Sequence, residues 1–143
     1  MLSWQYIAGF FDGEGHICFH DGSVARRGAL YCTIVQTKDE GLWLLDDISE
    51  FLRGYGITSK VHSNGAPTSD KHAQCYRIDI LGWDNSVKFL SHMMPYLRIK
   101  KLKAQDVIRY HKVYPYFPTS AVCMLRQESR RNNARLRQSN VAA

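Results

Sequence analysis

The hydrophobic residues of this chain follow two periodicities along its length. Four segments carry apolar residues at helical spacing, and four others carry them at alternate positions, as strands do. The predicted helices cover residues 4–12, 42 to Gly54 or Gly56, 85–97, where Pro95 disturbs the pattern, and 100–114. The predicted strands cover residues 16–20, 27–36, 57–63 and 74–81.

Turn-forming residues at 21–23 and 64–70 join the strands into two hairpins, each followed by a helix. This order predicts an α+β fold of the type αββαββα, with one further helix. Both hairpins would form one four-stranded antiparallel sheet, with its apolar face on the helices and its polar face outward. The predicted inner positions are Ile17, Phe19, Leu30, Cys32, Ile34, Ile57, Val61, Tyr76, Ile78 and Ile80. We expect a domain at 1–113 and a basic C-terminal extension at 114–143.

The net positive charge of the chain indicates that the domain has an acidic partner. The 143 residues include 19 basic and 13 acidic side chains, for a net charge of +6 and a pI near 9.3. Such a balance favours nucleic acid as the partner, although a basic soluble protein without that partner is the alternative.

The four cysteines, Cys18, Cys32, Cys75 and Cys123, form no C-x-x-C pair, which argues against a zinc knuckle. The first three fall in predicted strands, where free thiols behave as small hydrophobes, so we expect an intracellular, reducing compartment. No signal-peptide pattern and no apolar run of membrane-spanning length is present, and we expect no membrane partner.

The outer face of the predicted sheet is rich in hydrogen-bond donors, acceptors and cations and poor in acids. Readout of base edges in the DNA major groove needs this mixture, and β-ribbons enter that groove. The alternative is a solvated face without a ligand. The predicted DNA-binding positions are His16, Cys18, His20, Arg27, Tyr31, Thr33, Lys60, His62, Cys75, Arg77 and Asp79.

Small residues lie along one side of the first predicted helix. Ala8 and Asp12 are four residues apart, as are Gly9 and Gly13. Each glycine weakens a helix by roughly 1 kcal/mol relative to alanine, so their presence indicates a packing role. We expect these four residues to meet the same helix of a second copy across a two-fold axis.

Asp12 and Glu14 end this helix, where the helix dipole disfavours negative charge. A divalent cation would reverse the penalty, and oxygen ligands suit Mg²⁺. Two copies would then place two acids beside the two-fold axis for metal-assisted attack of water on phosphodiesters. The alternative is that Asp12 caps or turns the chain and Glu14 is simply exposed.

The segment Ile7–Gly15, IAGFFDGEG, resembles the LAGLIDADG motif of homing endonucleases. Glu14 stands at the catalytic position, where the family more often has Asp. The segments Pro95–Lys101 and Tyr76–Ile78 are similar to two further signatures of the family, and the resemblance covers roughly residues 4–112.

The resemblance implies a set of site residues. Glu14 would bind a metal through its carboxylate and Gly13 through its carbonyl; the metal would be Mg²⁺, with Mn²⁺ as a substitute. Lys100 would assist at the scissile phosphate or its water network, and Gln36 would contact that network. Asp12 would cap the partner's helix at the dimer interface. Some relatives have a second basic active-site residue, an arginine, at the position of Glu40. Here Lys38, Arg98 or Lys101 could serve instead.

The resemblance also implies a homodimeric, intron-encoded enzyme that cleaves long, near-palindromic DNA and leaves short 3′ overhangs. An RNA maturase or a non-cleaving DNA-binding regulator is the alternative, and a purely structural dimerisation domain is a third possibility. The basic tail, with five arginines and one glutamate at 126–138, either follows the DNA backbone or is a disordered end.

Overall fold

The described part of the chain folds as one four-stranded sheet backed by helices, which confirms the predicted fold class and element order. The computed structural model describes residues 1–20, 29–63, 65, 73–113, 130–132 and 134–139. The elements are α1 (Trp4–Glu14), β1 (Gly15–His20), β2 (Ala29–Thr37), α2 (Lys38–Gly54), β3 (Lys60–Ser63), β4 (Cys75–Leu81), α3 (Trp83–Met93) and α4 (Lys101–Val113). Residues 130–132 and 134–139 are also helical.

The sheet has the strand order β1-β2-β4-β3, and every pairing is antiparallel. The second strands of the two hairpins are therefore its central pair. Ile34 faces Gly15 on β1 and Ile78 on β4, so the middle of β2 is bonded on both sides. This register aligns the apolar sides of the strands on one face.

The core lies between that face and the helices. The predicted inner residues Ile17, Leu30, Cys32, Ile34, Ile57, Ile78 and Ile80 are buried, and Phe19, Val61 and Tyr76 are partly buried against the same core. From the helices, Phe11, Leu45, Ile48, Leu52, Phe89 and Leu90 complete it. The alternation of polar and apolar residues in the strands thus predicts which side of the sheet is covered.

Several element boundaries differ from the sequence-based expectation. α2 begins at Lys38, four residues before the predicted start, and β3 begins at Lys60 rather than at residue 57. α1 continues to Glu14 because the N–H of Gly15 still bonds to the carbonyl of Phe11. A side chain at Gly15 would not fit, since its Cβ would lie 2.1 Å from the Phe11 ring. α3 starts at Trp83, after Gly82 with φ of 90°, and ends at Met93, so Pro95 lies in the turn that follows.

None of the described helices is both long enough and apolar enough to cross a bilayer.

Candidate active site and nucleic-acid interface

The Asp12 carboxylate joins the end of α1 to the start of α4. Its Oδ2 accepts hydrogen bonds from the backbone N–H groups of Arg98 (2.6 Å) and Ile99 (3.2 Å), and its Oδ1 accepts one from Lys100 (2.9 Å). Asp12 is only 8% exposed. The N-terminus of α4 offers unpaired donors and a positive dipole end, so a buried carboxylate is stabilised here. One side chain therefore sets the distance between two elements far apart in sequence.

This geometry bears on two predictions about the dimer helix. Asp12 caps backbone of its own chain at residues 98–100, and its contact with the partner's helix stays a prediction. Ala8 was predicted at the dimer interface, but its side chain is 0% exposed and lies in the chain's own core. Gly9 and Gly13 do lie on the exposed side of α1, and no atom would come within 4 Å of a Cβ at either.

Lys100 bonds to Asp12 through both its backbone and its side-chain amine. Its backbone N–H bonds to the Asp12 carboxylate, and its Nζ donates to the Asp12 carbonyl oxygen. The amine also lies 5.8 Å from the centre of the Phe11 ring. Burial lowers the pKa of Lys100, while the nearby Asp12 and Glu14 carboxylates oppose that shift. Lys100 thus lies within electrostatic range of Glu14, although the two residues are far apart in the sequence.

Glu14 is the last residue of α1, and both it and Gly13 are exposed. The carbonyl oxygens of a final helical turn lack partners within the helix, so a carboxylate and backbone oxygens are available side by side. These hard oxygen donors fit Mg²⁺. No group of three or more His, Cys, Asp or Glu side chains with metal-binding geometry occurs among the described residues.

The Gln36 backbone lies near the same end of the sheet, two residues beyond the Ile34–Gly15 pair. Its Cβ faces α2, since a Cβ built on Gly41 would lie 2.7 Å from it. The neighbouring Lys38 has a left-handed backbone, with φ of 66°, and its N–H bonds to the carbonyl of Gln74. Strained backbone of this kind is frequent at functional sites. The catalytic role of Gln36 stays a prediction.

Lys103 is a basic residue near the site that sequence reasoning missed. Its Nζ donates to the Ile17 carbonyl at 2.8 Å and lies 5.5 Å from the centre of the Phe19 ring. Burial lowers the pKa of Lys103, and the charge of Lys100 lowers it further. By contrast, Arg98 and Lys101 are exposed, as is Lys38. The i, i+3 spacing of Lys100 and Lys103 at the start of α4 was the available sequence signal.

The centre of the outer sheet face is an internal network of charges. Asp79 is 5% exposed, and its Oδ2 lies 2.7 Å from His62 Nε2 and 3.1 Å from Arg77 Nε. Arg77 Nε also donates to His62 Nε2 at 3.0 Å, so the three side chains contact one another. Asp79 Oδ1 and the facing Thr33 Oγ1 have no hydrogen-bond partner among the described residues. Asp79 thus orients two cationic or polar side chains on the predicted DNA face.

The other predicted positions on this face differ in accessibility. Cys18 and Tyr31 face each other across β1 and β2, and a hydrogen bond with Cys18 raises the pKa of the Tyr31 hydroxyl, with burial as the next cause. His16 and Lys60 are exposed, while Cys75 lies at the start of β4 with its thiol 3.7 Å from the carbonyl of Ala73. Arg27, the side chain of His20, and Cys123 lie outside the described residues.

A protein-family model described as a LAGLIDADG-like domain matches residues 3–94, more than half of the chain. The chain belongs to the LAGLIDADG family. It therefore shares its family with homing endonucleases, the DNA-binding nucleases that carry this motif. No curated protein sequence matches the chain.

Solved LAGLIDADG structures share the fold. The homing endonuclease I-CvuI, in complex with its target, is similar with a TM-score of 0.60 and 20% identity over 78% of this chain and 67% of that chain. The meganuclease I-AabMI, bound to uncleaved DNA, matches with a TM-score of 0.57 and 25% identity, over 78% and 37% of the two chains. I-GzeII, in complex with its DNA target, matches with a TM-score of 0.58 and 18% identity, over 90% and 42%.

Replacing Asp12 with alanine is expected to lower the free energy of unfolding by about 1–3 kcal/mol, because three backbone N–H groups would be left without their acceptor. Chemical denaturation followed by circular dichroism measures the change. Asp46→Ala, at an exposed aspartate of α2, is the matched control and is expected to leave stability within about 0.5 kcal/mol. Equal effects of the two substitutions would show that the Asp12 bonds contribute nothing specific.

Proposed function

We propose that this protein is a homodimeric, site-specific DNA endonuclease that hydrolyses phosphodiesters with Mg²⁺. The observation that carries this proposal is the junction held by Asp12. Asp12 bonds to Lys100 near the end of α1, and the Glu14 carboxylate is close enough to raise the pKa of Lys100 against the effect of burial. The exposed face of the adjoining sheet is polar and basic.

DNA is supported as the ligand by the chemistry of that face. His16, Lys60, His62 and Arg77 offer donors and cations on the side of the sheet away from the helices, and Asp79 fixes two of them. The similar structures of I-CvuI, I-AabMI and I-GzeII contain DNA. We therefore assign base readout to this face and expect specificity to involve direct contacts, bridging water and bending of the DNA.

The exposed side of α1 supports the proposal that the protein is a homodimer. Gly9 and Gly13 expose backbone where another helix can approach closely. The chain spans only 37% of I-AabMI and 42% of I-GzeII, so its size suits one half of such a molecule. A two-fold axis through α1 would place two Glu14 carboxylates near each other, one for each DNA strand.

In the proposed reaction, water attacks phosphorus, the bond from phosphorus to the 3′ oxygen breaks, and that oxygen takes up a proton. Mg²⁺, held by Glu14 and the Gly13 carbonyl, supplies Lewis-acid stabilisation of the phosphate charge when bound. Lys100 donates hydrogen bonds to the water network or to the phosphate. Asp12 is a positioning residue, because it fixes the backbone of Lys100. Symmetric cleavage across the minor groove would leave short 3′ overhangs.

The alternatives are an RNA maturase and a DNA-binding regulator that does not cleave. Both would use the same polar face, but neither needs a carboxylate beside a half-buried lysine. The free thiols of Cys18, Cys32 and Cys75 fit the proposed reducing, intracellular compartment, and an intron-encoded origin is part of the same proposal.

The first test is cleavage of a library of randomised duplex DNA in Mg²⁺, with Ca²⁺ and EDTA reactions alongside. We expect Mg²⁺-dependent cuts at a long, roughly palindromic site. Glu14→Gln is expected to keep affinity for that site and to abolish cleavage, since the amide keeps the shape of the side chain and removes its charge. Cleavage by the variant at the wild-type rate would refute the metal role of Glu14. Retention of DNA or intron RNA without any cuts would favour the alternatives.

Lys100→Met is expected to slow single-turnover cleavage roughly 100-fold with little change in affinity, because it removes one donor at the reacting phosphate. Lys112→Met is the matched control, since it removes the same charge from an exposed residue of α4 that has no proposed role at the site. We expect its cleavage rate to stay within a few-fold of wild type. If Lys100→Met instead binds DNA weakly and keeps its turnover rate, Lys100 only contacts a phosphate.

A further inference from the structure

We propose that α4 and the helical residues near the C-terminus form a binding pocket for a backbone phosphate of the DNA, separate from the catalytic junction. A surface cavity of about 250 Å³ lies between them. Its lining residues are Asp106, Arg109, Arg131, Asn132 and Arg135. This inference rests on the proposed function for the identity of its ligand.

The pocket is held together across a long stretch of sequence. Asn132 Nδ2 donates to Asp106 Oδ2 at 2.9 Å, which fixes the C-terminal residues to α4. Asp106 Oδ1 lies 3.4 Å from Arg109 Nη2, and the Arg109 guanidinium lies 5.4 Å from the centre of the Tyr110 ring. The acid that lines the pocket thus orients one arginine and anchors the segment that carries the other two.

The chemistry of the lining points to phosphate. Among the described residues, three guanidinium groups and one carboxylate line the pocket, which gives them a net positive charge. Holding like charges together is unfavourable, and a bound anion would offset that repulsion. The planar fork of arginine also matches the oxygens of a phosphate group in two-point hydrogen bonds. Arg131 and Arg135 are four residues apart, so helical geometry places them on the same side.

The position of the pocket favours the DNA backbone over a free anion. Lys103, three residues before Asp106 on α4, is bonded to Ile17 of β1. The start of α4 therefore lies beside β1, which is an edge strand of the sheet. A sheet that enters a major groove about 12 Å wide has phosphate rows at its edges. A phosphate just beyond β1 is thus within reach of the pocket.

The test measures duplex affinity of the full chain carrying Arg131→Gln and Arg135→Gln at a series of KCl concentrations. We expect the slope of log Kd against log[KCl] to fall by about 0.9 for each phosphate that the variant no longer neutralises. Affinity should fall equally for target and non-target DNA, and the cleavage rate at saturating protein should not change. The matched control is Arg53→Gln with Lys88→Gln, which removes two exposed charges from α2 and α3 and should leave the slope unchanged.

Equal slopes for the pocket variant and the control variant would overturn the inference. An effect seen with structured RNA and not with duplex DNA would overturn the assignment to the DNA backbone.

Titration of the wild-type chain with inorganic phosphate, followed through its arginine Nε–Hε resonances, tests the pocket without DNA. Saturable shifts at Arg131 and Arg135, with Arg53 unmoved, are expected, and equal or unsaturable shifts contradict the pocket. Because this readout needs no cleavage, failure of the nuclease proposal would be seen separately.

Discussion

The arrangement of this molecule depends on one buried carboxylate and the three backbone N–H groups it accepts. Asp12 lies near the end of α1 and receives hydrogen bonds from Arg98, Ile99 and Lys100, the residues that precede α4. The sheet lies between these helices in sequence, so this contact closes the fold on itself. The same contact brings the Lys100 amine within electrostatic range of Glu14. Stability and the proposed chemistry therefore share a single set of bonds.

The hydrogen bonds of Asp12 also explain how α1 tolerates an acidic side chain at its C-terminal end. A negative side chain at the C-terminal end of a helix opposes the helix dipole, and the sequence offers two such acids. The structure stabilises Asp12 with the positive end of α4, so Asp12 needs no cation. Glu14 lies outside that donor set and is exposed, which leaves it as the acid available for a metal. The two carboxylates thus have different environments and different roles.

Much of the architecture followed from the sequence. Alternation in β2 and β4 predicted the covered face, since Leu30, Ile34 and Ile78 are all fully buried. Periodicity does not report which tertiary partner a side chain finds, so the bonds of Asp12 within its own chain and the burial of Ala8 were not predicted. Lys103 was missed for the same reason, because its bond to β1 depends on how α4 is placed.

The most direct measurement is native-state hydrogen exchange at the backbone amides of Arg98, Ile99 and Lys100. These residues precede α4, and their N–H groups all donate to Asp12. We predict that these amides exchange as slowly as the core amides of β2 and β4, through global unfolding. Fast exchange at 98–100, while β2 and β4 stay protected, would contradict it. The junction would then open freely, and the position of Lys100 beside Glu14 would not be fixed by the fold.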